Sequence, residues 1–342
     1  MKNVLYEFAK YFKIVPLKTL INLTGQKSIF PFYHVISDED VIHIKHLFRV
    51  RSIKEFIRDL DYFMQNFNPL DPKELIANIN SGIVSKKPSF LLTFDDGLRQ
   101  FYDIIAPILL QKGIPAICFL NSDFIDNKDL FYRYKTSILI ERLITIPISE
   151  NLRTRIKLFV SKRGIQFDEE FKFLLSIKYS ERQWLDELAI ILEVDFQEYL
   201  RNYKPFMDKE QIKYLVKQGF LFGSHSIDHP LYSDLHQNQQ IIQTVQSIIE
   251  ITSLFDLDYK LFSFPFTDIG VSKQFFDIIY ADNQKNVDLT FGSSGLMTDI
   301  RAENIQRIPI EIESFSAKEI IYGEYWFRLI NMLLNRNIIK RF

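Results

Sequence analysis

Short apolar runs alternate with stretches of helical periodicity along most of this chain, and that alternation restricts its fold more than any other feature. The runs are Ile29–Val35, Phe90–Asp95, Ala116–Leu120, Phe220–Ser224, Leu261–Phe266, Leu289–Gly292 and Ile305–Ile310, and each predicts a strand. Between them the spacing predicts helices over Ile53–Phe67, Leu98–Gln111, Lys209–Lys217, Asn238–Leu254 and Ser272–Tyr280, with a closing helix from Ala317 onward. Strands alternating with helices imply a parallel α/β sheet, closed or nearly closed into a barrel. In such a barrel the chemistry lies at the C-terminal ends of the strands.

One stretch breaks the alternation. Residues 124–206 are rich in Leu, Ile, Lys and Glu at helical spacing and contain no convincing strand, so a helical insertion is expected there. It leaves the barrel after the third strand, whose C-terminal end opens on the catalytic face, and is therefore expected to sit beside that face and select the substrate. Residues 1–28 precede the first strand. Leu5, Phe8, Phe12, Val15 and Leu20 make one stripe there, with Lys2, Lys10, Lys13 and Lys18 elsewhere. The expected organisation is thus an amphipathic N-terminal helix in 1–28 and a barrel over 29–342 that carries the insertion.

A formal net charge of −1 leaves no global field for nucleic acid, so any preference must be local. Cys118 is the single cysteine and forms no internal disulfide. Glu7, Lys10 and Lys13 interrupt the N-terminal apolar run, and nowhere do about 18 uncharged apolar residues follow one another. A cytoplasmic protein is expected. Peripheral membrane contact is the alternative role for the basic N-terminal helix, or for the closing helix with Arg328, Arg336, Lys340 and Arg341; packing on the barrel is the expected one.

Two of the strands end in residues that carry chemistry. Phe90–Asp95 runs directly into Asp96 and Gly97. Neighbouring strand residues face opposite ways, so both carboxylates serve one site only if the chain turns, which Gly97 permits. Phe220–Ser224 opens into His225-Ser226-Ile227-Asp228-His229-Pro230, with Pro230 disfavouring a helix at His229. Either stretch alone is equally an ordinary turn with solvated side chains. Together they offer one carboxylate and two imidazoles, a three-ligand set with coordination positions left open, and one further acid for a proton. The same donors also make the facial triad of non-haem iron oxygenases, which the strand–helix alternation disfavours.

Thr93-Phe94-Asp95-Asp96-Gly97 followed at long range by His225-Ser226-x-x-His229 resembles the first two motifs of the polysaccharide deacetylases, the NodB-homology carbohydrate esterases. The resemblance implies a distorted, incomplete (β/α)7 barrel that removes N-acetyl, or O-acetyl, groups from a saccharide. It implies Asp95 as catalytic base, Asp96, His225 and His229 as ligands of a divalent metal, Zn²⁺ first among candidates, and the Phe266 N–H as oxyanion donor. Two departures stand out. Ser263 occupies the place of the family's arginine before Pro265, leaving Arg307 as the nearby basic residue to orient the base. No histidine follows His236, so the family's late acid is missing; Tyr33-His34 resembles the N-terminal version in a circularly permuted exopolysaccharide-deacetylase subgroup, making His34 the expected acid. His43 and His46 are expected to be solvated. A catalytically inactive carbohydrate-binding homologue is the other reading of these departures.

Overall fold

The computed structural model describes the chain except for residues 1, 12–14, 80–84, 165–170, 282–284 and 313–314. Eight strands form its main sheet: β1 (Pro31–Tyr33), β2 (Leu92–Phe94), β3 (Ala116–Leu120), β4 (Leu221–Ser224), β5 (Leu261–Ser263), β6 (Leu289–Gly292), β7 (Asn304–Gln306) and β8 (Ile308–Pro309). Their order is β7-β6-β5-β4-β3-β2-β1-β8, and every neighbouring pair is parallel. The two ends of that order are consecutive pieces of one run, broken only at Arg307. β7 pairs with β6 and β8 pairs with β1, so the sheet closes on itself as the seven-stave barrel expected. The thinnest joint is β4 to β5, where the only paired positions are Ser224 and Phe262.

Alternation within each strand divides the apolar residues between two layers. Phe30, Leu91, Ile117, Phe119, Leu221, Leu261, Leu289, Phe291 and Ile305 pack together inside the barrel, where Leu70, Leu75 and Ile79 join them. The residues of opposite parity, Leu92, Phe94, Ala116, Cys118, Leu120 and Phe222, pack against the surrounding helices. Those helices fall close to their expected limits: Ile53–Asn66, Lys209–Lys217, Gln237–Phe255, Lys273–Ile279 and Ala317–Leu333. The helix expected from Leu98 begins at Arg99 and passes through a π turn over Phe101–Ile105 into Ala106–Lys112, with Pro107 unable to donate there.

Two small pairings carry no periodic signal and went unpredicted. Ser28–Ile29, Ser89–Phe90 and Asn68–Pro69 form a three-stranded sheet, and Thr298–Asp299 pairs with Ile338–Ile339. The N-terminal segment is two helices, Lys2–Tyr11 and Leu17–Thr24, rather than one; Phe12 and Lys13 lie outside the described residues. Its anchor is Tyr6, not Leu5: the Tyr6 hydroxyl donates to Glu324 at 2.6 Å, and Gly323 leaves room for its ring. Arg328 and Arg341 are buried among Leu296, Thr298, Asp268 and Asp299, so neither of these two arginines reaches a lipid surface. No helix among the described residues is long and apolar enough to cross a membrane.

Between β3 and β4 the chain forms helices over Tyr132–Thr145, Glu150–Ser161, Lys172–Ser176, Gln183–Leu192 and Phe196–Tyr203. They share an apolar cluster with Val35, Val41, Ile44 and Leu98, which follow β1 and β2. Met207 N–H donates to Gly97 at 3.0 Å and Arg99 N–H to Pro205 at 2.8 Å, so the end of this segment is strapped to the turn that follows Asp95 and Asp96.

Candidate active site

Asp95 continues the inward parity of Leu91 and Thr93 beyond the end of β2. Asp96 then turns back with φ of 71° and Gly97 with φ of 65°, which brings both carboxylates to one side. Gly97 has a second duty: a Cβ there would stand 2.7 Å from Leu120 Cδ2. Ser226, His229 and Phe266 also hold positive φ, so four non-glycine residues around one site carry unfavourable backbone geometry. Such strain persists where the surrounding structure imposes it, and it concentrates at functional sites.

The candidate ligand atoms of Asp96, His225 and His229 all lie within 4.8 Å of one another. His225 Nδ1 stands 2.8 Å from the Ser263 carbonyl, which can only accept, so the ring proton sits there and Nε2 offers a lone pair 3.5 Å from Asp96 Oδ1. His229 Nε2 is 3.2 Å from the same oxygen. Burial drives His225 down to a pKa of about 4, the neutral form that ligates. Asp96 Oδ1 is buried with no hydrogen bond, while Oδ2 accepts from the Tyr134 hydroxyl at 2.6 Å. A buried carboxylate oxygen left unpaired between two imidazole nitrogens suits a divalent cation, so these three residues fit one.

Asp95 stands apart from that set, gripped by Arg307. Nη1 and Nη2 donate to its two oxygens at 2.8 Å each. The guanidinium also reaches Thr93 Oγ1 at 3.0 Å, the Gly292 carbonyl at 3.2 Å and Ser263 Oγ at 2.6 Å, and lies 4.4 Å above the Phe32 ring. Burial alone would raise the Asp95 pKa; Arg307 and His225 hold it below the usual carboxylate range. Ser263 is therefore part of the arrangement. Its small side chain on β5 leaves the space that Arg307 fills from the β7–β8 junction, and its hydroxyl passes a weak hydrogen bond of 3.4 Å to Asp95.

His34 sits at the end of β1, with Nδ1 2.6 Å from Glu311 Oε2. Glu311 also accepts from the His34 and Val35 N–H groups at 2.8 and 2.9 Å. Burial lowers the imidazole pKa, but Glu311 more than offsets this and the pKa is raised to about 9. Sequence reasoning missed Glu311, although it shares the parity of Arg307, four positions further on. His43 and His46 are not solvated as expected, because the helices over residues 132–203 cover them. His43 is buried with Nδ1 3.0 Å from the Tyr199 hydroxyl, its pKa pushed down to about 3 by burial; His46 meets Glu141 at 2.7 Å.

A cavity of about 500 Å³ opens over this constellation, with His34, Asp95, Asp96, His229 and Arg307 on its surface. Phe266 lines it as well, although the strand expected to reach Phe266 ends at Ser263. Pro265 cannot donate to a ladder, and Phe266 turns left-handed at φ of 57°.

Residues 83–278, which contain both the acidic and the histidine motif, match the family model for polysaccharide deacetylase. In fold the chain is similar to Streptococcus pyogenes deacetylase PplD in complex with acetate, at 13% identity over 87% of this chain and 98% of that one, with a TM-score of 0.55. It is similar to IcaB from Ammonifex degensii at 15% identity, covering 87% and 97%, TM-score 0.53. A de-N-acetylase from Aggregatibacter actinomycetemcomitans follows at 14% identity, covering 86% and 99%, TM-score 0.51. No curated protein matches. At such identities the likeness to solved structures speaks for the fold alone, and the family model, spanning more than half of the chain, speaks for descent: the chain belongs to the polysaccharide deacetylase family.

Proposed function

We propose that this protein is a metal-dependent hydrolase that removes the N-acetyl group of a saccharide. The observation that carries the reading is the separation of two acidic tasks: Asp96 completes a set with His225 and His229, while Asp95 is excluded from it by the two-pronged grip of Arg307. Asp95 is thereby kept ionised and aimed, the condition for a general base. The donor set, two imidazoles and one carboxylate, suits Zn²⁺. A divalent cation held there supplies Lewis acidity and lowers the pKa of a bound water to about 7.

The remaining steps belong to residues of the chain. Asp95 takes the proton from the attacking water. The Phe266 N–H, for which no acceptor is found among the described residues, is the proposed donor to the developing oxyanion, a contribution of about 3 kcal/mol. An amine leaves only once protonated, and His34, held charged by Glu311, is the proposed acid. What supports this over an inactive carbohydrate-binding homologue is Arg307, which supplies from another stave the guanidinium missing at Ser263.

The test is acetate release from N-acetylated oligosaccharides by protein stripped with a chelator and then reloaded. Release that disappears on stripping and returns with Zn²⁺ or Co²⁺ is the expected result. Metal-loaded protein that binds the sugars without releasing acetate would establish the inactive homologue instead.

A further inference from the structure

The cavity above Asp96 and His229 has polar chemistry at its floor and little elsewhere. Its floor groups are committed, Asp95 to Arg307 and His34 to Glu311. Around them stand Phe32, Leu47, Phe48, Phe131, Leu175 and Phe266. The two polar wall residues each spend one nitrogen within the protein, His46 Nε2 on Glu141 at 2.7 Å and Arg133 Nη1 on the Leu175 carbonyl at 2.7 Å, which leaves few polar atoms for a ligand. Apolar surface begins at the reacting centre itself, since the rings of Phe131 and Phe266 are centred 4.0 and 4.7 Å from that of His229. It continues to the mouth, where Leu175 is 39% and Phe266 43% exposed.

Sugar hydroxyls carried among these walls would lose water and find partners only at His46 and Arg133, a cost that grows with each further hydroxyl. Stacking one face of a pyranose on a ring does not remove it. The apolar side chains arrive from three directions, the loop after β1, the segment between β3 and β4, and the loop after β5, and so surround the space rather than floor it. Large apolar side chains left open at a cavity mouth mark a ligand that covers them.

We propose that the substrate is an N-acylated sugar bearing an apolar substituent, either an alkyl or lipid aglycone or an N-acyl chain longer than acetyl, which lies against Phe48, Phe131, Leu175 and Phe266. The proposal rests on the amide-hydrolysing, deacylase chemistry proposed for the site; the aglycone form narrows its N-acetyl substrate, and the N-acyl form replaces the acetyl group with a longer chain. Only the amide-bearing edge of the sugar meets the polar floor, and the substituent takes the wall.

The experiment compares kcat/KM of the metal-loaded full chain on four sugars below their micellar concentrations. These are the methyl glycoside of N-acetylglucosamine, its octyl glycoside, the methyl glycoside of N-octanoylglucosamine, and the tetramer of N-acetylglucosamine. One methylene in an apolar pocket is worth roughly tenfold to two-hundredfold, so one of the octyl sugars should exceed both the methyl glycoside and the tetramer by about tenfold or more. Which of the two does so identifies where the substituent sits. The tetramer as best substrate, with both octyl sugars no better than the methyl glycoside, overturns the proposal. Leu175→Ser, at a partly exposed position that tolerates a polar side chain, should shrink the octyl-to-methyl ratio, and an unmoved ratio counts against the wall. Turnover of none of the four removes the deacylase reading, and this proposal with it.

Discussion

Asp95 and Asp96 are adjacent in sequence and held by different partners, and the opposite tasks proposed for them rest on what each touches. Arg307 holds one; Tyr134 and the two imidazoles surround the other. Asp96→Ala, His225→Ala and His229→Ala should therefore each lose bound metal, whereas Asp95→Asn should keep it and lose turnover. Elemental analysis of the purified variants decides the matter, and a metal-free Asp95→Asn protein would refute the division. His34 offers a second test through pH. Its pKa is raised to about 9 from 6.5, so its pairing with Glu311 stabilises fully below pH 6.5 and is lost as pH rises through about 9. Glu311→Gln keeps the shape and an acceptor for one of the two backbone N–H groups, a loss that does not vary with pH, and removes the charge. In metal-free protein the stability gap between wild type and Glu311→Gln should be widest near pH 6.5 and narrow as pH rises through about 9. A gap that instead widens with pH would mean His34 is neutral in the fold. The ring is partly exposed, so water weakens the effect without changing its sign.

At the level of elements, all seven staves were legible because a strand's length and period are local properties of the chain. The site's outer contacts were not, and Tyr134 shows why. Its helix, Tyr132–Thr145, buries residues around most of its circumference, Tyr132, Tyr134, Ser137, Ile138 and Leu139 among them, so no apolar stripe identifies the face that meets the barrel. For the same reason His43 looked exposed until the helix that covers it was placed. The expectation that residues 124–206 lie beside the catalytic face matches where Phe131 and Tyr134 stand, against His229 and Asp96. We accordingly propose that this segment also supports the metal set. Tyr134 fixes which oxygen of Asp96 is free to ligate, so Tyr134→Phe should weaken metal affinity by roughly 10- to 100-fold, the usual effect of losing such a supporting hydrogen bond. A competitive chelator titration measures it. Affinity unchanged within about twofold would reduce Tyr134 to packing.

For the whole molecule the question is how seven staves close around so few paired positions. Gly223 on β4 lies next to the thinnest joint, and a Cβ there would fall 2.7 Å from the Phe119 ring and 2.8 Å from Leu261 Cβ. Gly223→Ala should cost about 1–3 kcal/mol through forced repacking of the interior, read as a lower denaturant midpoint at unchanged slope. A loss under about 0.5 kcal/mol would show slack in the interior. Arg307 stands at the opposite seam. There the last run lets go of β6 and takes hold of β1, and the same residue turns inward to grip Asp95. A slip of one residue at this seam would swing the guanidinium to the outer face and leave the buried carboxylate without its counter-charge. The enzyme thus carries its own inspection of assembly. A chain whose final stave is missing or misaligned should be silent rather than partly active, and on refolding, turnover should return only after helix and sheet content has recovered.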